Sequence, residues 1–531
     1  MNAGETGDPV LETPTPRTWQ EALRGEHAAE WAESMSRELR GLQATKTYRL
    51  VPRSAARNII RSKWVYKVKR TITSLPLFKS RLVAKGFTQR QGVDFHETWA
   101  PTAKPATART LLHLAAALDL EIHAMDVDQA FLQGDLEEKI YMEPPEGLGT
   151  ADPNIVWELQ RPIYGLKQAP RQWHTKLKSA LLEMGFHCSM ADPSLFLKQG
   201  PSGTWVLVYV DDLLVMAPTL QLLQETKEHL HSQFPLKDLG PITSYLGMEV
   251  TRDRGSRTIS LCQGHYITQI LHRFRDHGIK SYKTPLPVNC DLRLPSEAED
   301  CPPEVDRYPE LVGCLMYLMT CTRPDLAYPL SLLGRYVAPG RHGLDHWKMA
   351  LRVLGYVEHT KDRSLTLGGP DITLQGYTDA SWADCKDDRR SSQGYCFTLG
   401  SGMISWRATR SPAVALSSCE AELYGGAAAA QELMWLKRLL SELGHSQDRP
   451  TLWCDNSSTV QLTKDPVFSG RSKHIEARYF FIRELSQAHL LQVQHIAGAV
   501  NPADVFTKPL LRDRHELMLQ LLGLPSGSPL S

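Results

Sequence analysis

At 531 residues the chain is too long for one core and implies roughly three or four domains, with the composition of an ordinary globular protein at 42% hydrophobic and 22% charged residues. Lys plus Arg (60) nearly equals Asp plus Glu (59), so net charge selects no polyanionic partner and local clusters must decide. No apolar run approaches the roughly 20 residues of a spanning helix, and the start MNAGETGDPVLETPTP lacks the apolar segment of a signal peptide, which argues against a membrane role and for a cytosolic or nuclear setting. The ten cysteines are scattered, without a CxxC pair or a His/Cys cluster at zinc spacing, and read as small buried apolar residues.

In chain order, residues 1–18 read as a Pro-rich disordered leader and residues 19–44 as one amphipathic helix. RSKWVYKVKR, residues 61–70, carries five basic side chains and no acidic one. At period two, Lys63, Lys67 and Lys69 share one strand face while Trp64, Tyr66 and Val68 share the other. Lys79, Arg81 and Lys85 follow in FKSRLVAKG, so two basic strands in succession suit a phosphate-facing hairpin; a solvated surface strand is the bland alternative. A helix is predicted for ARTLLHLAAALDL, and apolar strands near 121–127 and 205–216. Pro and acidic residues crowd 285–305, which reads as a linker. Helices YPELVGCLMYLMT and LDHWKMALRVLGYVEHT precede a second α/β region over 371–515, and 516–531 is left as a tail.

YVDDLLVMA raises a chemical question. WVLVYV and LLVMA are apolar strands at hairpin spacing, with Asp211 and Asp212 between them. Adjacent carboxylates repel, and beside an apolar wall they protonate unless a cation neutralises them; a solvated turn is the plainer reading. A third carboxylate strengthens the case. In LEIHAMDVDQAF, alternation puts Ile122, Ala124 and Asp126 on one face, with Asp126 where the apolar face ends. Three converging carboxylates suit hard Mg²⁺ ions, and two ions roughly 4 Å apart serve an in-line phosphoryl displacement.

MDVDQAFLQGDLEEKIYMEPPEG, PIYGLKQAPRQW and YVDD, in that order, together with KWVYKVK and RLVAKGFTQRQGVDFHETWAP, resemble the reverse transcriptase of copia-type retrotransposons, over about residues 19–515. The resemblance implies an α/β multidomain fold: a right-hand polymerase with fingers and palm over 45–235, thumb and connection over 236–370, then a ribonuclease H-like domain over 371–515. It implies Asp126 and Asp211 as direct metal ligands with Asp212 beside them, two Mg²⁺ per active site and Mn²⁺ as a substitute. Phe131 falls where the family has a bulky ring under the sugar, although core packing explains its spacing equally well. Tyr164, Gly165, Leu166 and Lys167 are expected to line the nucleotide and template side, and Lys63 and Arg81 to contact the triphosphate.

GYTDASWAD (Asp379), SSCEAELYGGAAAA (Glu422), LWCDNSSTV (Asp455) and NPADVFTKPL (Asp504) resemble the four ribonuclease H carboxylates of the same family. Asp379 is expected to end a strand and Glu422 to sit in the first turn of an Ala-rich helix, with Glu420 the competing choice. Four such acids can hold a metal pair that activates water; taken singly, each reads as a cap. His495, nine residues before Asp504, falls near an auxiliary histidine of related nucleases or is a surface residue. His474, in SKHIEARYFFIRE, reads as structural beside Ile475, Tyr479 and Ile482.

The chain also departs from the family. RTITSLPLF lacks the usual charged, Gly-containing fingers turn, and Asp128 and Gln129 replace a small or basic pair after Asp126. No protease triplet or zinc-binding integrase module precedes residue 1, so the chain reads as the carboxyl-terminal part of a Pol polyprotein or a fragment of it. The implied partners are an RNA template, a DNA primer, their RNA–DNA hybrid and deoxynucleoside triphosphates, and the implied setting is a cytoplasmic virus-like particle or the nucleus. The alternative is a catalytically silent nucleic-acid-binding remnant. A single-strand binding module alone has no need of seven acids in two metal-like sets.

Overall fold

The computed structural model describes residues 15–70, 76–147, 152–198, 203–295, 301–464 and 476–525. The leader up to residue 14, the altered fingers turn at 71–75 and His474 lie outside the described residues, as do the side chains of Lys69 and Tyr479.

The expected N-terminal helix is two helices, α1 (Trp19–Arg24) and α2 (Ala28–Ala44). Thr18 caps α1 by accepting from the Glu21 N–H at 3.2 Å, and the extended backbone of Gly25 ends it. β1 (Ser62–Arg70) pairs antiparallel with β2 (Pro76–Ala84), Lys63 opposite Val83 and Val65 opposite Arg81. Trp64, Tyr66, Phe78 and Leu82 are buried on one face against Trp31 and Met35 of α2, with Trp31 edge-on to Phe78 at 4.8 Å. Lys63 and Lys67 stand exposed on the other face. Full burial of each large apolar side chain contributes about 2 kcal/mol, so the amphipathic pattern sets which face turns inward.

The region expected as the palm is built from α3 (Pro105–Ala117), β3 (Glu121–Val127), α4 (Ala169–Glu183), β4 (His187–Cys188), β5 (Leu195–Lys198), β6 (Thr204–Tyr209), β7 (Asp212–Ala217), α5 (Leu220–Gln233) and β8 (Leu236–Pro241). Its sheet runs in the order β8-β3-β7-β6-β5-β4. Trp173 and Leu177 of α4 and Leu223 and Leu230 of α5 cover one face, while α3 covers the other. The β6–β7 turn differs from the sequence expectation. Tyr209 pairs with Asp212, so the turn residues are Val210 and Asp211, and Asp212 already belongs to β7.

The region expected as thumb and connection contains β9 (Met248–Asp253), β10 (Thr258–Cys262), α6 (Tyr308–Cys321), α7 (Leu344–His359) and β11 (Leu365–Gly368). The segment expected as a linker is tied down, because Leu286 and Leu292 are buried in the cluster around α6 and α7 and the Leu292 carbonyl accepts from the Tyr336 hydroxyl at 2.9 Å. Two leucines among the prolines supply the anchors.

The last sheet, of β12 (Leu374–Ser381), β13 (Ser392–Leu399), β14 (Gly402–Arg410), β15 (Thr451–Cys454) and β16 (Gln492–His495), has the order β14-β13-β12-β15-β16. β13 is antiparallel to both β12 and β14, and β12, β15 and β16 run parallel. α8 (Ser418–Glu442) packs across it. The expected tail is partly structural: α9 (Arg512–Leu521) buries Met518 and Leu519, and Leu522 and Leu524 are buried after it.

One hydrophobic cluster runs from α3 through β9, β10 and β11 into β12, β13 and α8. Arg109 of α3 reinforces it. Its guanidinium, 5% exposed, donates to the carbonyls of Ile404 (2.8 Å), Thr320 (2.8 Å) and Cys321 (3.1 Å) and lies 3.7 Å from the Trp406 ring centre. A buried charge needs such partners to offset its lost hydration.

Candidate active sites

Asp126 of β3 and Asp212 of β7 are cross-strand partners, and Asp211 sits in the turn that β7 leaves. Residues directly opposite one another hold their Cβ atoms roughly 5 Å apart, so three carboxylates gather at one end of the palm sheet. The Val127 N–H donates to the Asp211 carbonyl at 2.9 Å, fixing the turn against β3. Val210 has φ of 58°, a left-handed conformation that a β-branched residue rarely adopts. The Trp173 indole holds it by donating to the Val210 carbonyl at 2.6 Å. All three aspartates are half-buried, which suits ligands open to substrate on one side.

Tyr164 joins this centre to the fingers. Burial pushes its phenol up, and the charges of Asp211 and Asp126 add to the rise while Arg81 opposes it. The Arg81 guanidinium lies 4.4 Å from the Tyr164 ring centre, and Phe131 meets that ring edge-on at 4.8 Å. Gly165 follows with φ of 91°, and a Cβ there would lie 2.2 Å from the Ala84 carbonyl oxygen. Gly86 faces it in turn, since its own Cβ would lie 2.1 Å from the Gly165 oxygen. The two glycines thus let the loop backbone touch the end of β2. Gly165→Ala is expected to destabilise the protein by about 2 kcal/mol or more in urea unfolding, through strain plus a backbone clash. Gly92→Ala, also at positive φ but with nothing within 4 Å, should show the strain alone.

Three other expected nucleotide contacts, Leu166, Lys167 and Lys63, meet different neighbours. Leu166 is 3% exposed and packs in the fingers core with Trp64 and Leu82, so it does not line the site. The Lys167 ammonium lies 4.6 Å from the Phe95 ring centre. The Lys167 backbone N–H donates to Gln89 Oε1 at 2.8 Å, within a buried relay from Gln89 to Gln168 and on to the Asp94 carbonyl. Lys63 lines a separate pocket on the outer fingers.

The second acidic set converges from four elements. Carboxylate oxygens of Asp379, Asp455 and Asp504 lie within 4.8 Å of one another, and Glu422 groups with Asp455 and Cys454. Asp379 lies inside central strand β12, opposite Gly394, and does not end it. Glu422 stands one turn deeper in α8 than expected, because the cap is Ser417, which accepts from the Glu420 N–H at 3.1 Å. Between the two glutamates geometry is clear. Glu420 accepts from the Leu416 N–H at 2.6 Å and so serves the helix start, whereas Glu422 accepts from the Ala380 N–H at 3.1 Å beside Asp379. His495, exposed at the end of β16, has Nε2 3.1 Å from the Asp455 carbonyl oxygen and so stands at the rim.

Sequence reasoning missed the basic partners of this cluster. Lys508 Nζ is 2.6 Å from Asp504 Oδ1 and 3.5 Å from Asp379 Oδ2. Arg514 also pairs with Asp504, and the Thr507 hydroxyl donates to Asp379. The i,i+4 spacing of Asp504 and Lys508 was a usable signal, since such residues share one face of a helical turn.

Crowding of like charges shows in the proton affinities. Burial first, then Asp379 and Asp455, raise the Glu422 carboxyl well above its ordinary range; burial and Asp379 raise Asp455, and raise Asp504 to about 6. Such an oxygen-rich, mutually repelling set fits a divalent cation. A raised folded-state pKa contributes stability that is complete below the unfolded value and is lost as pH rises through the folded one. The thermal midpoint in EDTA should therefore fall as pH rises from 3.8 through about 6, and Mg²⁺ at pH 7.5 should restore it. An EDTA midpoint that does not fall over that window would contradict this.

A family profile described as reverse transcriptase (RNA-dependent DNA polymerase) matches residues 45–288. A putative transposon Ty5-1 protein of Saccharomyces cerevisiae is 33% identical over 304 residues, covering 56% of this chain and 96% of that protein. The chain belongs to the reverse transcriptase family of copia-type retrotransposons. The retrovirus-related Pol polyprotein from transposon TNT 1-94 of Nicotiana tabacum is 39% identical over 96% of this chain and 39% of its own length. That from transposon RE2 of Arabidopsis thaliana is 37% identical over 97% of this chain and 35% of its own. The chain thus spans little more than a third of these polyproteins. Among solved structures, a foamy viral protease-reverse transcriptase in complex with double-stranded DNA is similar at 10% identity and TM-score 0.45, covering 92% of this chain and 73% of that one. The fold is α/β and multidomain, and its last sheet mixes antiparallel and parallel strands in the order given above.

Proposed function

We propose that the chain is an RNA-directed DNA polymerase that also cleaves the RNA strand of the RNA–DNA hybrid it makes. The observation that carries the reading is the pairing of Asp126 with Asp212 across two strands, with Asp211 in the adjoining turn. Asp126 and Asp211 would hold two Mg²⁺ ions, with Asp212 beside them. When bound, such ions activate the primer 3′-hydroxyl and stabilise charge on the α-phosphate and the departing pyrophosphate. Arg81, held on the Tyr164 ring, faces the triphosphate, and the raised phenol keeps Tyr164 neutral beside the aspartates. Phe131, packed edge-on against Tyr164, excludes a ribose 2′-hydroxyl. In the nuclease, Asp379, Glu422, Asp455 and Asp504 would hold the second metal pair, and His495 at the rim would exchange protons with solvent or product. The work is done in the cytoplasm, within a particle.

The test is extension of a DNA primer on an RNA template by the purified chain with Mg²⁺, read alongside cleavage of labelled RNA. Both activities are expected; their absence in a folded, hybrid-binding chain would leave the silent remnant. Phe131→Val is expected to lower discrimination against ribonucleotides by about tenfold or more while deoxynucleotide incorporation persists, measured by competing the two at one template position. Unchanged discrimination would assign Phe131 to packing alone.

A further inference from the structure

The helix α9 touches both the second acidic set and the region that precedes it in the chain. Near its start, Arg514 Nη2 donates to an Asp504 carboxylate oxygen and, at 2.7 Å, to the Gly498 carbonyl. Gly498 lies against another acid of the set, since a Cβ there would sit 3.2 Å from Asp455 Oδ2. One guanidinium thus braces Asp504 and the loop beside Asp455. The remaining Asp504 oxygen, Oδ1, accepts no hydrogen bond among the described residues. The Lys508 ammonium faces it at 2.6 Å and is also 3.5 Å from Asp379 Oδ2, so Oδ1 is turned toward the other acids. Asp504 is fully buried and Asp379 repels it, so its orientation depends on what holds the oxygen bound by Arg514.

The next two residues of α9 are anchored elsewhere. His515, 3% exposed, meets the Tyr356 ring of α7 edge-on at 5.6 Å. Glu516 accepts from Arg363 Nη2 through both oxygens at 2.6 Å. Arg363 lies in the turn between α7 and β11 and also donates to the Leu524 carbonyl at 2.8 Å. It is almost fully buried, so its charge depends on these partners in place of water. Past the end of α9 the Thr366 N–H of β11 donates to the Gly523 carbonyl at 3.2 Å. Arg514 and Glu516 are two residues apart on one helix, a rise of roughly 3 Å, so whatever fixes Glu516 also sets where Arg514 stands.

We propose that Arg514 is a positioning residue for Asp504, holding one carboxylate oxygen so that the other is presented to a divalent cation, and that Arg363 sets Arg514 through Glu516. The inference rests on the nuclease reading above. Outer partners orient a metal ligand, and losing one weakens metal binding or activity by about 10- to 100-fold. Charge alone has the opposite sign, because taking a cation away from such a site tightens its hold on Mg²⁺. Weaker Mg²⁺ binding in an Arg514 variant is therefore the mark of positioning.

Mg²⁺ titrations of the full chain test it with two readouts: the thermal midpoint at pH 7.5 on an Asp126→Asn background, which isolates the second acidic set, and cleavage of labelled RNA in a hybrid. Arg514→Gln is expected to raise the Mg²⁺ concentration at half-effect about tenfold in both, with cleavage largely recovered at saturating Mg²⁺. Glu516→Ala, chosen because it leaves the buried Arg363 in place, should raise it about threefold. The two changes together should match Arg514→Gln alone, because both act through one contact. Primer extension by these variants with Asp126 intact should continue. An unchanged or lowered Mg²⁺ requirement in Arg514→Gln overturns the positioning role, while wild-type cleavage still supports the nuclease. Additive effects, or none from Glu516→Ala, overturn the link to Arg363. A wild-type chain with neither a Mg²⁺-dependent midpoint nor cleavage overturns the nuclease reading and this inference with it.

Discussion

Asp126→Asn is expected to lower primer extension by about a thousandfold, the several kcal/mol that correct placement of a metal-ligand carboxylate contributes to the transition state. The side chain keeps its size, and the register of β3 against β7 is held by backbone pairing from Glu121 opposite Ala217 to Asp126 opposite Asp212. The change also removes one of two charges that face each other across the strands, so the thermal midpoint should hold or rise. Hybrid affinity, which depends on the basic fingers and groove shape, should change by less than about twofold. Single-turnover extension, filter binding and a melting curve on one preparation separate these effects. Extension at the wild-type rate would remove Asp126 from the catalytic machinery. Asp211→Asn should behave alike, and Asp212→Asn should be milder if its carboxylate only accompanies the two direct ligands.

Asp379→Asn is expected to abolish RNA-strand cleavage to a similar degree while extension continues. Asp379 is 3% exposed on central strand β12, between β13 and β15, and its oxygens lie within reach of Asp455 and Asp504. Asparagine can still accept from the Thr507 hydroxyl, so the local fold should persist. Loss of a charge that raises the pKa of Glu422, Asp455 and Asp504 should also weaken the pH-dependent destabilisation seen in EDTA. The readout is RNA cleavage and primer extension in one reaction. Continued cleavage would sink the assignment. Loss of extension as well would show that the core shared through Arg109 transmits the change from one site to the other.

Local pattern determined much of this protein. Period-two alternation in KWVYKVK foretold that Trp64 and Tyr66 would be buried and Lys63 and Lys67 exposed, because a strand's two faces need only local chemistry to sort themselves. Helices over Tyr308–Cys321 and Leu344–His359 were legible for the same reason at period 3.6. Ordered motifs marked all seven acids. Tertiary structure alone decided how those acids meet: Asp126 opposite Asp212 is a register between distant strands, and no periodicity within either strand contains it. It also shifted the turn onto Val210 and Asp211, where the Trp173 indole secures a strained backbone, and chose Glu422 over Glu420 by where Ser417 capped the helix. Leu166 went to the core, and Lys508 and Arg514 joined the nuclease carboxylates, because long-range packing brings together charges and apolar groups whose local sequence is silent about their partners.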